Sequence, residues 1–128
     1  MRVDENKAVV RRFLGAISRG GDLELIDELA SPTYVNRGMG NMDRAGLKAV
    51  LSGMQAASDV EIGDLIAEDD SVVARMTMNV TLASGKNIAV RAITFYRLAN
   101  GQIVEDDTMT SPDLAQILAD SAPARADA

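Results

Sequence analysis

Three observations predict an α+β domain in which helices cover one face of a curved antiparallel sheet. Apolar residues recur at spacings of three and four through the first part of the chain. They then alternate with a period of two. The breaks between the alternating runs are short, polar and glycine-bearing, as hairpin turns require. A length of 128 residues suits one domain, expected over residues 1–120. The Ala-rich segment 121–128, with Pro123, is expected to be a mobile tail.

The first helix opens at Asp4, a residue type that caps helix N-termini, with Glu5 in the first turn. Val9, Val10, Phe13, Leu14 and Ile17 form its apolar face, and Gly20-Gly21 end it. Asp22 caps a second helix that runs through Ala30 on Leu23, Leu25, Ile26 and Leu29, until Ser31-Pro32 stops it. Tyr34-Val35-Asn36 is a brief extended segment before the loop from Gly38 to Met42. Asp43 caps a third helix to about Ala57, with Leu47, Val50, Leu51 and Met54 as its buried stripe.

Here the period changes. Strands are expected over Val60–Ala67, Val72–Leu82, Asn87–Leu98 and Gln102–Thr110. The turns between them are Glu68-Asp69-Asp70-Ser71, Ser84-Gly85 and the strong hairpin signal Asn100-Gly101. Ser111-Pro112-Asp113 has the pattern of a cap and first turn for a terminal helix to about Ala119.

Composition removes whole classes of chemistry. The sequence has no cysteine, histidine or tryptophan. A disulfide frame, thiolate-bound metal, thiol nucleophile, Ser-His-Asp triad and imidazole shuttle are therefore excluded. The net charge of −6 and the four aromatic residues argue against a nucleic-acid or anionic-membrane partner. The N-terminus has no apolar signal core and no segment reaches membrane-spanning length, so a cytoplasmic location is expected.

Polar residues within a strand pattern carry most of the functional signal. In the second strand, Val72, Ala74, Met76, Met78, Val80 and Leu82 alternate with Val73, Arg75, Thr77, Asn79 and Thr81. Periodicity alone leaves two readings: the Arg75-Thr77-Asn79 face meets water, or the sheet curls and that face lines a cavity. In the cavity reading a buried Arg75 needs a carboxylate, because an unpaired interior charge is very costly. Asp106 is the first candidate, and Glu105 or Asp107 serves if the register is the opposite one. Such a site supplies an acid/base carboxylate, a cation for developing negative charge, and orienting hydroxyl and amide donors.

Other features read as structure. Ser84-Gly85-Lys86 lacks the second glycine and following helix of a phosphate loop. Gly38-Met39-Gly40 reads as a loop, Glu68-Asp69-Asp70 as a solvated turn, and Met76 with Met78 as core or a soft apolar wall.

The segments 5–14 with Gly20-Gly21-Asp22, 29–36, 44–47 and 95–105 together resemble the nuclear transport factor 2-like superfamily. Within it the chain resembles the SnoaL-like polyketide cyclases over about residues 5 to 118. The resemblance implies a cone-shaped α+β barrel, a deep pocket between sheet and helices, and a homodimer. It also favours the cavity reading of Arg75. The sequence departs from the family where Tyr34-Val35-Asn36-Arg37 stands at a common Asp-His pair, and Asp106-Asp107 replaces the usual tryptophan after Ile103-Val104-Glu105. The chain is also similar to limonene epoxide hydrolases. Tyr34, Asn36 and Arg75 match their pocket, while Thr77 and Thr108 stand at the two aspartate positions.

The function expected on this basis is a cofactor-independent enzyme, without metal, that cyclises or isomerises a hydrophobic polyketide-like compound. Asp106 is the base and Arg75 the enolate stabiliser, with Tyr34 and Asn36 completing the catalytic set. Thr77, Asn79, Thr108, Met54 and Val90 are the expected substrate contacts. The alternatives are an epoxide hydrolase or epoxide-opening cyclase, and a noncatalytic binder of hydrophobic ligands.

Overall fold

The computed structural model describes residues 2–18, 20–54, 58–82, 84–113 and 116. In chain order these form α1 (Arg2–Ile17), α2 (Leu25–Leu29), β1 (Ala30–Asn36), a 3-10 turn (Arg37–Met39), β2 (Met42–Asp43), α3 (Arg44–Met54), β3 (Ser58–Glu68), β4 (Ser71–Thr81), β5 (Asn87–Ala99) and β6 (Gln102–Ser111). The strands make one curved, open sheet in the order β2-β1-β6-β5-β4-β3. The barrel is therefore not closed. All pairings are antiparallel except β1 with β6, which run parallel. That pairing joins the first strand to the last and brings residues 30–36 beside residues 103–106.

Local chemistry explains most boundaries. Asp43 Oδ1 accepts from the Gly46 amide at 2.7 Å, the expected cap of α3. Asn100 and Gly101 both take positive φ, 52° and 77°, as a tight right-twisted hairpin demands. The second helix is shorter than its apolar set implied. Asp22 instead closes a turn by accepting from the Glu24 amide, and Ala30 already belongs to β1. The chain thus passes from helix straight into strand ahead of Pro32. Asp113, rather than Ser111, accepts from the amide three residues on, at Gln116, because Ser111 still belongs to β6. The remainder of the expected terminal helix, the end of the third helix at Ala57 and the tail 121–128 lie outside the described residues.

Two β-bulges control which side chains face the helices. In β3 the register shifts between Ile62 and Asp64, so Val60 and Ile62 share a face with Leu65 and Ala67. In β6, Ile103 pairs with Leu98 while Glu105 pairs with Arg97, leaving Val104 as the extra residue. Ile103 and Asp106 consequently both point inward although three positions separate them, and both are buried.

The core lies between this inner face and the helices. Val10, Phe13 and Leu14 of α1, Ile26 and Leu29 of α2 and Leu47 of α3 close over Val72, Ala74, Val80, Val90 and Leu98. Phe13 stands 6.2 Å from both Tyr34 and Tyr96, tilted to the first and edge-on to the second. Arg44 ties α3 back by donating to the carbonyls of Asp27 and Ala30, and Lys48 pairs with Asp27 at 2.8 Å. Helix α3 is thereby held over one end of the sheet as a roof. Among the described residues no helix is long and apolar enough to cross a membrane.

Candidate functional site

Under that roof is a cavity of about 380 Å³, within the range of small-molecule sites. Its walls are mostly apolar: Phe13, Leu14 and Ile17 from α1, Leu47, Val50 and Leu51 from α3, and Met76 and Met78 from β4. The polar groups converge at the end formed by β1, β6 and β5. Asn36, Asp106 and Tyr96 are successive cross-strand partners in one row, so the three project side by side from neighbouring strands.

Asp106 is only 4% exposed, and among the described residues no cation touches it. The Tyr34 hydroxyl donates to its Oδ2 at 3.0 Å and the Thr108 hydroxyl to its Oδ1 at 3.1 Å. Thr94 shares a 2.9 Å hydrogen bond with Thr108, which extends the network across the sheet. Burial raises the Asp106 pKa to about 6, although the two hydroxyl donors stabilise the carboxylate and pull the other way; the Asp107 charge adds to the rise. Burial and the Asp106 charge raise the phenols of Tyr34 and Tyr96, so both stay protonated donors. Asn36 Oδ1 accepts from the Met39 amide at 3.1 Å, which pins the 3-10 turn to the site. Gly38 within that turn lies so close to β6 that a side chain there would come 2.8 Å from the Thr108 carbonyl oxygen.

The positions expected from sequence divide in two. Tyr34, Asn36, Asp106 and Thr108 come together at the polar end of the cavity. Arg75, Thr77 and Asn79 do not. The inward face of β4 is the Val72-Ala74-Met76-Met78-Val80 face, because covering that apolar row by the helices removes it from water. Arg75 therefore lies on the outer face, its side chain 70% exposed, paired with Asp64 across the β3 bulge. The expected Arg75–Asp106 pair is not formed, and Thr77 and Asn79 share the outer face with Arg75. Val90 is fully buried opposite Met78 and is not part of the cavity wall. Met54 closes α3, and its side chain lies outside the described part.

Two polar residues of the site escaped the reading of the sequence, Thr94 and Tyr96. The available signal was parity: both share the phase of Val90, Ala92 and Leu98 in β5, all buried. Two more, Thr110 of β6 and the exposed carboxylate of Asp113, also line the cavity.

The cavity lies between the helices and the concave face of an open α+β sheet of the nuclear transport factor 2-like fold. The chain belongs to the SnoaL-like domain family, whose match spans residues 10–106. Solved structures agree on the fold. A protein of Jannaschia sp. CCS1 with a provisional assignment as a SnoaL-like polyketide cyclase superposes with a TM-score of 0.75 at 21% identity, covering 95% of each chain. Wild-type IdmH of Streptomyces antibioticus, provisionally a polyketide cyclase, gives 0.72 at 22% identity over 88% of this chain and 97% of its own. An LEH-like epoxide hydrolase of M. tuberculosis gives 0.76 at 17% identity over 94% of both. No curated protein matches the sequence.

Proposed function

We propose that the protein is a cofactor-independent enzyme that removes a proton alpha to a carbonyl in a hydrophobic, polyketide-like compound and so drives aldol cyclisation or isomerisation. The observation that carries this reading is the buried Asp106, touched by no cation among the described residues, at the polar end of an apolar cavity, where burial raises its pKa to about 6. Ionised at neutral pH yet poorly solvated, such a carboxylate is a stronger base than one in water. It takes the proton, and the C–H electron pair becomes the enolate. The enolate carbon adds to a second carbonyl of the same molecule, and the resulting alkoxide takes the proton back from Asp106. Arg75 has no part in this scheme. The Asn36 amide and the Tyr96 phenol, both on the cavity wall, receive the oxyanion instead. Tyr34 and Thr108 orient the carboxylate.

The test is deuterium exchange between the carbonyls of hydrophobic aryl β-diketones, followed by NMR. Exchange faster with the wild-type protein than with Asp106→Asn is expected. Equal rates in the two proteins overturn the reading.

Epoxide opening is the second reading. It is favoured by Tyr34 and Asn36 flanking Asp106 and by the fold shared with the LEH-like epoxide hydrolase. Asp106 would then take a proton from water as the water oxygen bonds to an epoxide carbon. The ring C–O bond breaks, and the alkoxide takes the proton back from Asp106. Diol formation from an aryl epoxide without diketone exchange selects this reading. Binding of both probes without turnover selects a noncatalytic module. The proposal retains the homodimer that the family resemblance implies. Ile93 and Met109 support it: cross-strand partners on the outer face, they are 55% and 76% exposed. Sedimentation at two protein concentrations tests that part.

A further inference from the structure

The charge on the cavity wall is one-sided. Among the described residues the lining holds two carboxylates, Asp106 in the depth and Asp113 at the mouth, and no lysine or arginine. The elements packed around Asp106 bring it no positive charge. Helices α1 and α3 present apolar side chains, β4 presents Met76 and Met78, and β1 and β5 present the neutral phenols of Tyr34 and Tyr96. The negative charge of Asp107 on the same strand bears on it as well. The cations of this part of the fold are engaged elsewhere: Arg37 and Arg97 both pair with Glu105, and Arg75 pairs with Asp64.

A carboxylate held in an apolar cavity by two hydroxyl groups is under-compensated. A formal positive charge brought to it forms a charge-assisted hydrogen bond in a low-dielectric setting, where such bonds are strong. An anion brought there meets repulsion from Asp106 with no cation on the described lining to offset it. We propose that the cavity selects hydrophobic ligands that carry a cationic nitrogen, which docks against Asp106 while the apolar body lies along Met76, Met78 and the α1–α3 roof.

This inference deepens the reaction proposed above and rests on the same carboxylate. It also supplies what that reaction lacks, a counter-charge for the product. Where the carbon acid is an iminium ion, Asp106 takes the alpha proton, the C–H electron pair becomes the new C=C bond, and the C=N π pair returns to nitrogen. An ion pair becomes a neutral enamine and a neutral carboxylic acid, the direction a low-dielectric cavity favours. From a neutral ketone the same step leaves an enolate with only neutral donors around it.

The experiment is a matched set of three ligands of one shape: naphthylmethylamine, naphthylmethanol and naphthoate, titrated against the full chain by calorimetry. Near neutral pH the amine is expected to bind about tenfold more tightly than the alcohol, with naphthoate weakest. The preference should disappear in Asp106→Asn and survive in Asp113→Asn. It should also fade in the wild-type protein as the pH falls below about 6, since Asp106 becomes neutral while the amine stays charged. That arm needs no variant. Equal affinities for amine and alcohol, or a preference that follows Asp113 or persists in Asp106→Asn, overturn the inference. Asp106-dependent diketone exchange without amine preference would sink this inference alone. Amine preference without exchange would sink the proposed reaction alone.

Discussion

Glu105 and Asp106 are consecutive residues with opposite fates. Glu105 turns to the outer face of the sheet, where Arg37 at 2.7 Å and Arg97 at 2.8 Å hold its pKa below the usual carboxylate range. Asp106 turns to the inner face, where burial pushes its pKa up to about 6. One carboxylate is stabilised by charge pairing at the surface, and the other is destabilised by burial in the cavity. In the proposed reaction, the difference means that reactivity comes from withheld compensation: arginines lie on the outside of the same sheet, and none among the described residues reaches the inside. If Asp106 is the base proposed above, the site trades stability for reactivity near neutral pH.

The largest expected effect is on turnover. Asp106→Asn should slow diketone exchange by a hundred- to ten-thousandfold, about the range for losing a general base. The wild-type rate should fall about tenfold per pH unit below about pH 6 and level off above it. A flat profile across that region would break the contrast between the two carboxylates.

Next in size is stability, and its sign is opposite. The native state holds a proton on Asp106 more tightly than the unfolded chain does, so stability falls as pH rises from about 4 to about 6 and the cost persists above that. Asp106→Asn should therefore stabilise the fold near pH 8, by up to about 3 kcal/mol, and have little effect below about pH 4. Urea denaturation at the two pH values measures both. Glu105, with a lowered pKa, works the other way: its contribution is present at neutral pH and lost as acid protonates it.

Thr108→Val should come third. It removes one donor to the carboxylate and should raise the acid limb of the exchange profile by about one pH unit, with no change in its steepness. A purely structural role for Thr108 would lower the rate without moving the limb. Glu105→Gln should cost about 1 kcal/mol or less in urea denaturation and leave the limb in place. Arg75→Ala should have the smallest effect of all. Its exposed pair with Asp64 is worth at most about 1 kcal/mol, and exchange should be unaffected. Loss of exchange in that variant would restore a catalytic part for the outer face.

The sequence by itself determined the α+β class, the four long strands from β3 to β6, the Asp43 cap and the Asn100-Gly101 hairpin. These rest on period and local turn chemistry, which are encoded within a few residues. By contrast β1 and β2, which precede α3, were legible only as a brief extended segment and a loop. The sequence also placed Tyr34, Asn36, Asp106 and Thr108 among the candidate site residues, alongside Arg75, Thr77 and Asn79 of the outer face, and its composition excluded histidine and thiol chemistry. Which face of the sheet the helices cover was beyond it. Each strand has two faces, and β4 carries a plausible polar row on one and methionines on the other. Strict alternation along β6 sets Ile103 in phase with Glu105 and Asp107. Only the extra residue at Val104, an event of pairing between strands, turns Asp106 inward with Ile103. The parallel pairing of β1 with β6 then brings Tyr34 and Asn36 to the same carboxylate from some seventy residues away. Those two events are long-range, and a bulge or a pairing partner leaves no periodic trace in the strand that contains it.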